Sequence, residues 1–170
     1  MPTGRIGISS GGGIKSIQHG FYSIAWGTDL IRDVSITSVD ISKSIPFITG
    51  VGSASPQNEA KSFSITILNS NTIRFERKSA TWTDTADISW EVIEYRNVKS
   101  IQTGTKTFAS STGQTQSITS VDLSKSIYSA SLSTLGGAGG ASYPQSSTSL
   151  YFKTIHSDTT SFVWYLLEFY

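Results

Sequence analysis

The sequence predicts an all-β protein made of two tandem antiparallel β-sandwich modules that arose by internal duplication. Three observations carry that prediction. Ser35–Ile45 reads SITSVDISKSI and Ser117–Ile127 reads SITSVDLSKSI, identical except for Ile41 against Leu123. Helix-length amphipathic patterns are missing, while short β-branched and aromatic runs recur between Gly, Asn, Ser and Asp clusters. Within Thr72–Arg77, Ile73 and Phe75 alternate with Thr72, Arg74 and Glu76, the period of a strand with one buried face.

The repeat has two further landmarks. Lys15–Gly20 reads KSIQHG and Lys99–Gly104 reads KSIQTG. Each copy closes on a Trp followed four residues later by Glu and an aromatic: Trp90, Glu94, Tyr95 and Trp164, Glu168, Phe169. The landmarks keep their order, with offsets of 84 residues (Lys15 to Lys99), 82 (Ser35 to Ser117) and 74 (Trp90 to Trp164). The shrinking offset places lost residues in loops between the middle and closing landmarks. Residues 1–13 read as a Gly-rich N-terminal arm, 14–96 as module 1 and 97–170 as module 2. Tyr95 to Lys99 runs from closing to opening strand without a flexible linker, so the modules are expected to pack in a fixed relation.

In chain order, module 1 is expected to form strands at Ile14–Gln18, Gly20–Trp26, Asp33–Ile36, Ser44–Ile48, Ser62–Leu68, Thr72–Lys78 and Ile88–Tyr95. Module 2 is expected to form them at Val98–Gln102, Thr105–Ala109, Gln114–Ile118, Ser126–Ser131, Ser149–Thr154 and Thr160–Phe169. Asn69, Ser70 and Asn71 separate two strands and read as a hairpin turn. The closing strands are apolar on both faces, which suits central strands with Trp90 and Trp164 as core anchors. In the repeated word, Asp40 and Asp122 stand where a turn begins. Their carboxylates can accept the N–H groups of Ser42 and Ser124 in an Asx-turn, with Lys43 and Lys125 following three residues later. Val39 and Ile41, like Val121 and Leu123, are expected to plug the core on either side of that turn.

Composition removes several function classes. Net charge is +1 and 15% of residues are charged, so a phosphate-tracking surface is not expected and no nucleic-acid partner is assigned. The densest basic stretch, Arg74, Arg77 and Lys78, is broken by Glu76 and reads as a solvated strand end. Cysteine is absent, which rules out disulfides and thiolate zinc sites. No apolar run approaches 18 residues and the first residues lack a signal-peptide core, so no membrane partner or export is expected.

Chemistry is equally sparse. Asp40/Lys43 and Asp122/Lys125 read as structural turns, because no nucleophile or histidine accompanies them. His19 and His156 stand at unrelated places in the two copies and lack supporting ligands. Glu91 and Glu94 lie three apart on a strand and face opposite ways. The glycines at 11–13 and 136–140 open no helix and cradle no phosphate. No catalytic residue, cofactor or metal is therefore assigned, and an enzyme is not expected. Trp26 and Trp82, with Asp84 and Asp87 in the WTDTAD stretch, are the candidate contacts for a partner or glycan.

The Lys-Ser-Ile-Gln-x-Gly opening, the central ITSVD-x-SKSI and the closing Trp-x-Val-Ile-Glu-Tyr resemble small β-sandwich modules of tailed-bacteriophage virion proteins. Their arrangement is also similar to the H-type lectin fold, a six-stranded sandwich that typically forms trimers. The resemblance spans nearly the whole chain as two copies. It implies a non-enzymatic virion structural protein, a capsid decoration or a tail or collar accessory, assembled in the host cytoplasm. The implied partners are further copies of the chain, as a trimer, and other virion proteins. The lectin side implies a carbohydrate-binding receptor-recognition module as the alternative, although the loops hold no matching sugar-binding motif. The 1–13 arm, the 50–61 loop, the Trp82 loop and the 132–148 loop differ between the halves and are expected to meet partners.

Overall fold

The computed structural model of the chain describes residues 13–25, 30–53, 62–77, 85–109, 111–134, 139–155 and 158–170. Among the described residues twelve strands are defined: β1 (Ile14–Ala25), β2 (Ile31–Ser35), β3 (Ser44–Ser53), β4 (Ser64–Asn69), β5 (Thr72–Glu76), β6 (Thr85–Tyr95), β7 (Val98–Phe108), β8 (Gln114–Ser117), β9 (Ser126–Thr134), β10 (Gly140–Ser146), β11 (Ser149–Thr154) and β12 (Thr160–Phe169). They form four antiparallel three-stranded sheets, ordered β1-β6-β3, β2-β5-β4, β7-β12-β9 and β10-β11-β8. Each half of the chain thus supplies two sheets with the same internal order, which is the architecture of two β-sandwich modules.

Side-chain alternation builds each core. On β6, Ala86, Ile88, Trp90 and Val92 face Phe63, Ile65, Ile73 and Phe75 from the opposing sheet. On β12, Phe162, Trp164 and Leu166 face Leu150 and Phe152 in the same way. The two closing strands are the middle strands of their sheets, as their apolar composition requires.

A third core lies between the modules. Ile45 and Tyr95 from the first half pack with Tyr165, Leu167 and Phe169 from the second. Tyr95 and Phe169 meet edge to face, with ring centroids 5.2 Å apart. β12 therefore has no polar face: one side fills its own sandwich and the other fills the joint. Burying five such side chains is worth on the order of 10 kcal/mol at the usual value per large apolar side chain, as an upper bound.

The joint is directional. Module 2 presents the outer face of its β7-β12-β9 sheet, and module 1 presents the edge formed by β3 and β4. Ser129 Oγ donates to the Pro46 carbonyl at 2.9 Å, and Ser62 Oγ to the Leu132 carbonyl at 3.2 Å. The edge N–H of Ile65 donates to Ser131 Oγ at 2.9 Å, and that of Ile67 to the Tyr165 hydroxyl at 3.0 Å. Side-chain oxygens thus occupy an open strand edge that would otherwise invite another strand.

Several expectations are corrected. β1 and β7 are continuous strands, each expected as two. The stretch 132–148, expected as a loop, contains the end of β9 and the whole of β10, whose Tyr143 and Pro144 pair with Tyr151 and Leu150. Pro is tolerated there because β10 is an edge strand. Ile41 and Leu123 are 54% and 42% exposed, so only Val39 and Val121 plug the cores. Both residues open a short 3-10 turn, Ile41–Lys43 and Leu123–Lys125, none of whose residues is buried. Arg77, read as a solvated strand end, is buried, and its N–H donates to the Leu30 carbonyl. Arg74 matches that reading better, held on the surface by a two-pronged pair with Asp33 at 2.7 and 2.8 Å.

Candidate functional site

The three repeated words meet in space, twice. Glu94 on β6 is only 2% exposed. Its carboxylate accepts from Lys15 Nζ at 2.8 Å, Ser16 Oγ at 3.2 Å and the Asp40 N–H at 3.2 Å. Glu168 on β12 does the same with Lys99 Nζ at 3.0 Å, Ser100 Oγ at 3.2 Å and the Asp122 N–H at 2.9 Å. Each word contributes one part: Lys-Ser from the opening strand, the Asp N–H from the turn, and Glu from the closing strand. Burial pushes the Glu94 carboxyl up, but Lys15, the Asp40 N–H and Ser16 outweigh it and hold the group below the ordinary glutamate value. Glu168 shows the same balance, with the Asp122 N–H and Lys99 opposing burial.

The turn is tied at several donors. Asp40 Oδ1 accepts from the Ser42 hydroxyl at 2.6 Å and the Ser42 N–H at 3.0 Å. The hydroxyl bond is the main reason its carboxyl lies below the usual aspartate value. Lys43 Nζ sits 3.4 Å from Asp40, and Ser44 Oγ donates back to the Asp40 carbonyl at 2.7 Å. Asp122 caps Ser124 with the same geometry, at 2.6 and 2.9 Å, and Lys125 follows on the exposed side. Before each turn, a glutamine mimics a backbone strand. Gln18 donates to the Thr37 carbonyl and accepts the Thr37 N–H, at 2.8 and 2.7 Å. Gln102 holds Thr119 likewise, at 2.9 and 2.8 Å. The N–H groups of Ile36 and Val39 donate to the hairpin-turn carbonyls of Asn71 and Ser70, and Ile118 and Val121 donate to Thr148 and Ser147.

The last repeated residue, glycine, is explained by the tryptophan. A Cβ at Gly20 would stand 2.4 Å from the Trp90 ring, and one at Gly104 would stand 2.9 Å from the Trp164 ring. Each indole therefore lies flat beneath a bare backbone. Trp90 and Trp164 are 7% and 5% exposed, and both Nε1 atoms lack a hydrogen-bond partner. Beside each indole lies an open-sided groove between the two sheets. One, of about 670 Å³, is lined by Gln18, His19, Ser35, Thr37 and Trp90. The other, of about 740 Å³, is lined by Gln102, Thr103, Gln116, Ser117, Thr119 and Trp164.

Chemically, these arrangements hold the fold. The Asp/Lys pairs, the buried glutamates and the serines are engaged with one another or with backbone. His19 is exposed on β1, across the register from Glu91, with no hydroxyl nucleophile bonded to it. Among the described residues, no group of three or more His, Asp and Glu could hold a metal ion. Trp26, Trp82, Asp84 and His156 lie outside the described residues. Asp87 lies on β6, half-buried, paired in register with Ser23 and Gly52. It shares the outer face of β6 with Glu91, away from Trp90.

That outer face is a feature the sequence reading did not single out. On the β1-β6-β3 sheet it carries Ile17, Phe21 and Phe47, with Ile17 and Phe21 51% and 65% exposed. The signal was present as Ile17 and Phe21 at even spacing, but the expected break between Gln18 and Gly20 put them on separate strands. Comparison with known protein families, with curated proteins and with solved structures found no match to the chain.

Proposed function

We propose that this chain is a non-enzymatic structural protein of the bacteriophage virion, a capsid decoration or tail or collar accessory that self-associates on the particle. One observation carries the reading: the polar residues repeated in both halves are consumed in holding the sandwiches, while a sheet face on module 1 that carries Ile17 and Phe21 stays uncovered among the described residues. A protein that invests its matched residues in rigidity and exposes apolar sheet surface suits assembly. Three copies would supply six similar modules to a threefold site. The chain would be made in the host cytoplasm and act in the virion, without cofactor. Two measurements test this. Antibody probing of gradient-purified particles of the encoding phage should find the chain in the particle band, and light scattering should return an oligomer. Absence from the particles sinks the virion assignment.

The paired grooves favour a second reading, carbohydrate binding for receptor recognition. Each groove sets serine or threonine hydroxyls beside an indole, a combination that suits a neutral hydroxylated ligand. Titration followed by indole fluorescence decides it: an unchanged signal at millimolar sugar removes this reading.

A further inference from the structure

Each module owns one sheet face and one strand edge on the opposite flank. Inside the chain, the module 2 face covers the module 1 edge. This leaves the module 1 face around Ile17 and Phe21 and the β10 strand of the module 2 edge uncovered among the described residues; β9 has no exposed residue, and its Leu132 carbonyl already accepts from Ser62. We infer that these two surfaces bind each other between copies of the chain, head to tail, by repeating the internal joint. The inference rests on the self-associating reading above and specifies its surface.

Residue equivalences across the joint support the match. They follow from strand register, because Trp90 opposes Gly20 and Ile48 as Trp164 opposes Gly104 and Ala130. The Tyr165 position on the module 1 face is Glu91. Thr66 and Ile67 on the module 1 edge correspond to Tyr143 and Pro144, which oppose Tyr151 and Leu150 as Thr66 and Ile67 oppose Arg74 and Ile73. Inside the chain, the face supplies a hydroxyl, Tyr165, to an edge N–H, Ile67. The uncovered pair changes on both sides together. The edge has no N–H at Pro144, so the face needs no hydroxyl there. A tyrosine stands on the edge strand instead: Tyr143 is 48% exposed, its ring beside Tyr151, and the face offers the Glu91 carboxylate to accept from it. Gly50 stands where Ser131 stands, which leaves space for the larger ring. The apolar part of the face is continuous with the existing joint, since Ile93 and Phe47 already pack against the inter-module core and Ile17 lies opposite Ile93. A second copy is the occupant because the equivalent face in module 2 is buried by a module of this same chain.

A head-to-tail contact closes into a ring or runs on as a filament, according to the rotation at each joint. It also has a signature that a two-fold contact lacks. Phe21→Asp disables the face and Tyr143→Asp disables the edge. Both side chains are exposed, and circular dichroism melts check that each variant folds; Ile17→Lys replaces Phe21→Asp if that variant does not. Sedimentation velocity should show the unaltered chain as an oligomer and each variant alone as a monomer. An equimolar mixture of the two variants should form a dimer, because one intact face and one intact edge remain. Oligomers unaffected by either substitution, or a mixture that stays monomeric, overturn this surface while leaving self-association standing. A monomeric unaltered chain overturns both.

Discussion

Replacing Glu168 by Ala tests whether the convergence of the three repeated words is what stabilises each sandwich. The carboxylate accepts three hydrogen bonds and its side chain is 4% exposed, whereas the Lys99 side chain is 52% exposed. The Lys99 pair is therefore screened and worth at most about 1 kcal/mol. The bonds from the Asp122 N–H and Ser100 Oγ are charge-assisted and sheltered, and removing their acceptor leaves both donors stranded, at about 1–3 kcal/mol for a lost buried partner. Together the loss should be roughly 2–4 kcal/mol. For a chain of this size that lowers Tm by roughly 5–15 °C. Differential scanning calorimetry measures it, with Lys99→Met as the control that should cost less than about 1 kcal/mol. The pH dependence has a definite sign. Glu168 titrates below its ordinary value when folded, so its contribution is complete above the unfolded value near 4.5 and fades as pH falls through the folded one. The gap in Tm between the unaltered chain and Glu168→Ala should accordingly narrow under acid. If Lys99→Met costs as much as Glu168→Ala, or the gap is independent of pH, the sheltered-carboxylate account is wrong.

Three further outcomes follow from the same geometry. Gly20→Ala and Gly104→Ala should each destabilise by about 1–3 kcal/mol through overpacking against the indole, with Gly20 the worse because its Cβ would come closer; denaturant melts rank them. Trp90→Ala and Trp164→Ala should each cost about 3–5 kcal/mol as buried anchors, and an unchanged urea midpoint for either would remove that half's sandwich core. Tyr165→Phe should cost about 1–3 kcal/mol by stranding the Ile67 N–H, and hydrogen exchange at Ile67 should accelerate more than at the core amides of β6.

Much of the fold was legible in the chain because its signals are local. Alternation in Thr72–Arg77, the Asn69–Asn71 turn and the Asp40 and Asp122 caps depend on neighbours within a few residues, and the repetition doubled each signal. β10 was not legible, because Gly140, Ser142 and Pro144 carry no strand propensity of their own. That segment is a strand because β11 lies beside it, and its hairpin partner sets the register. Arg77 misled because its backbone partner, the Leu30 carbonyl, is distant in sequence and its burial is not a local property.

Of the candidate site, the sequence alone determined the parts: a Lys-Ser, an Asp turn and a Trp–Glu pair, each present twice in the same order. It could not determine that they converge, since each contact of Glu94 spans 54 to 79 residues. Only the tertiary structure decided that the repeated words are one carboxylate-centred clasp. It alone also decided which sheet face is spent inside the chain and which is left open. Strand alternation tells which side chains share a face, but the packing of one sandwich against the next decides whether that face meets protein or water. For that reason the apolar far side of β12 reads from sequence as a central strand, and only the fold reveals it as a joint.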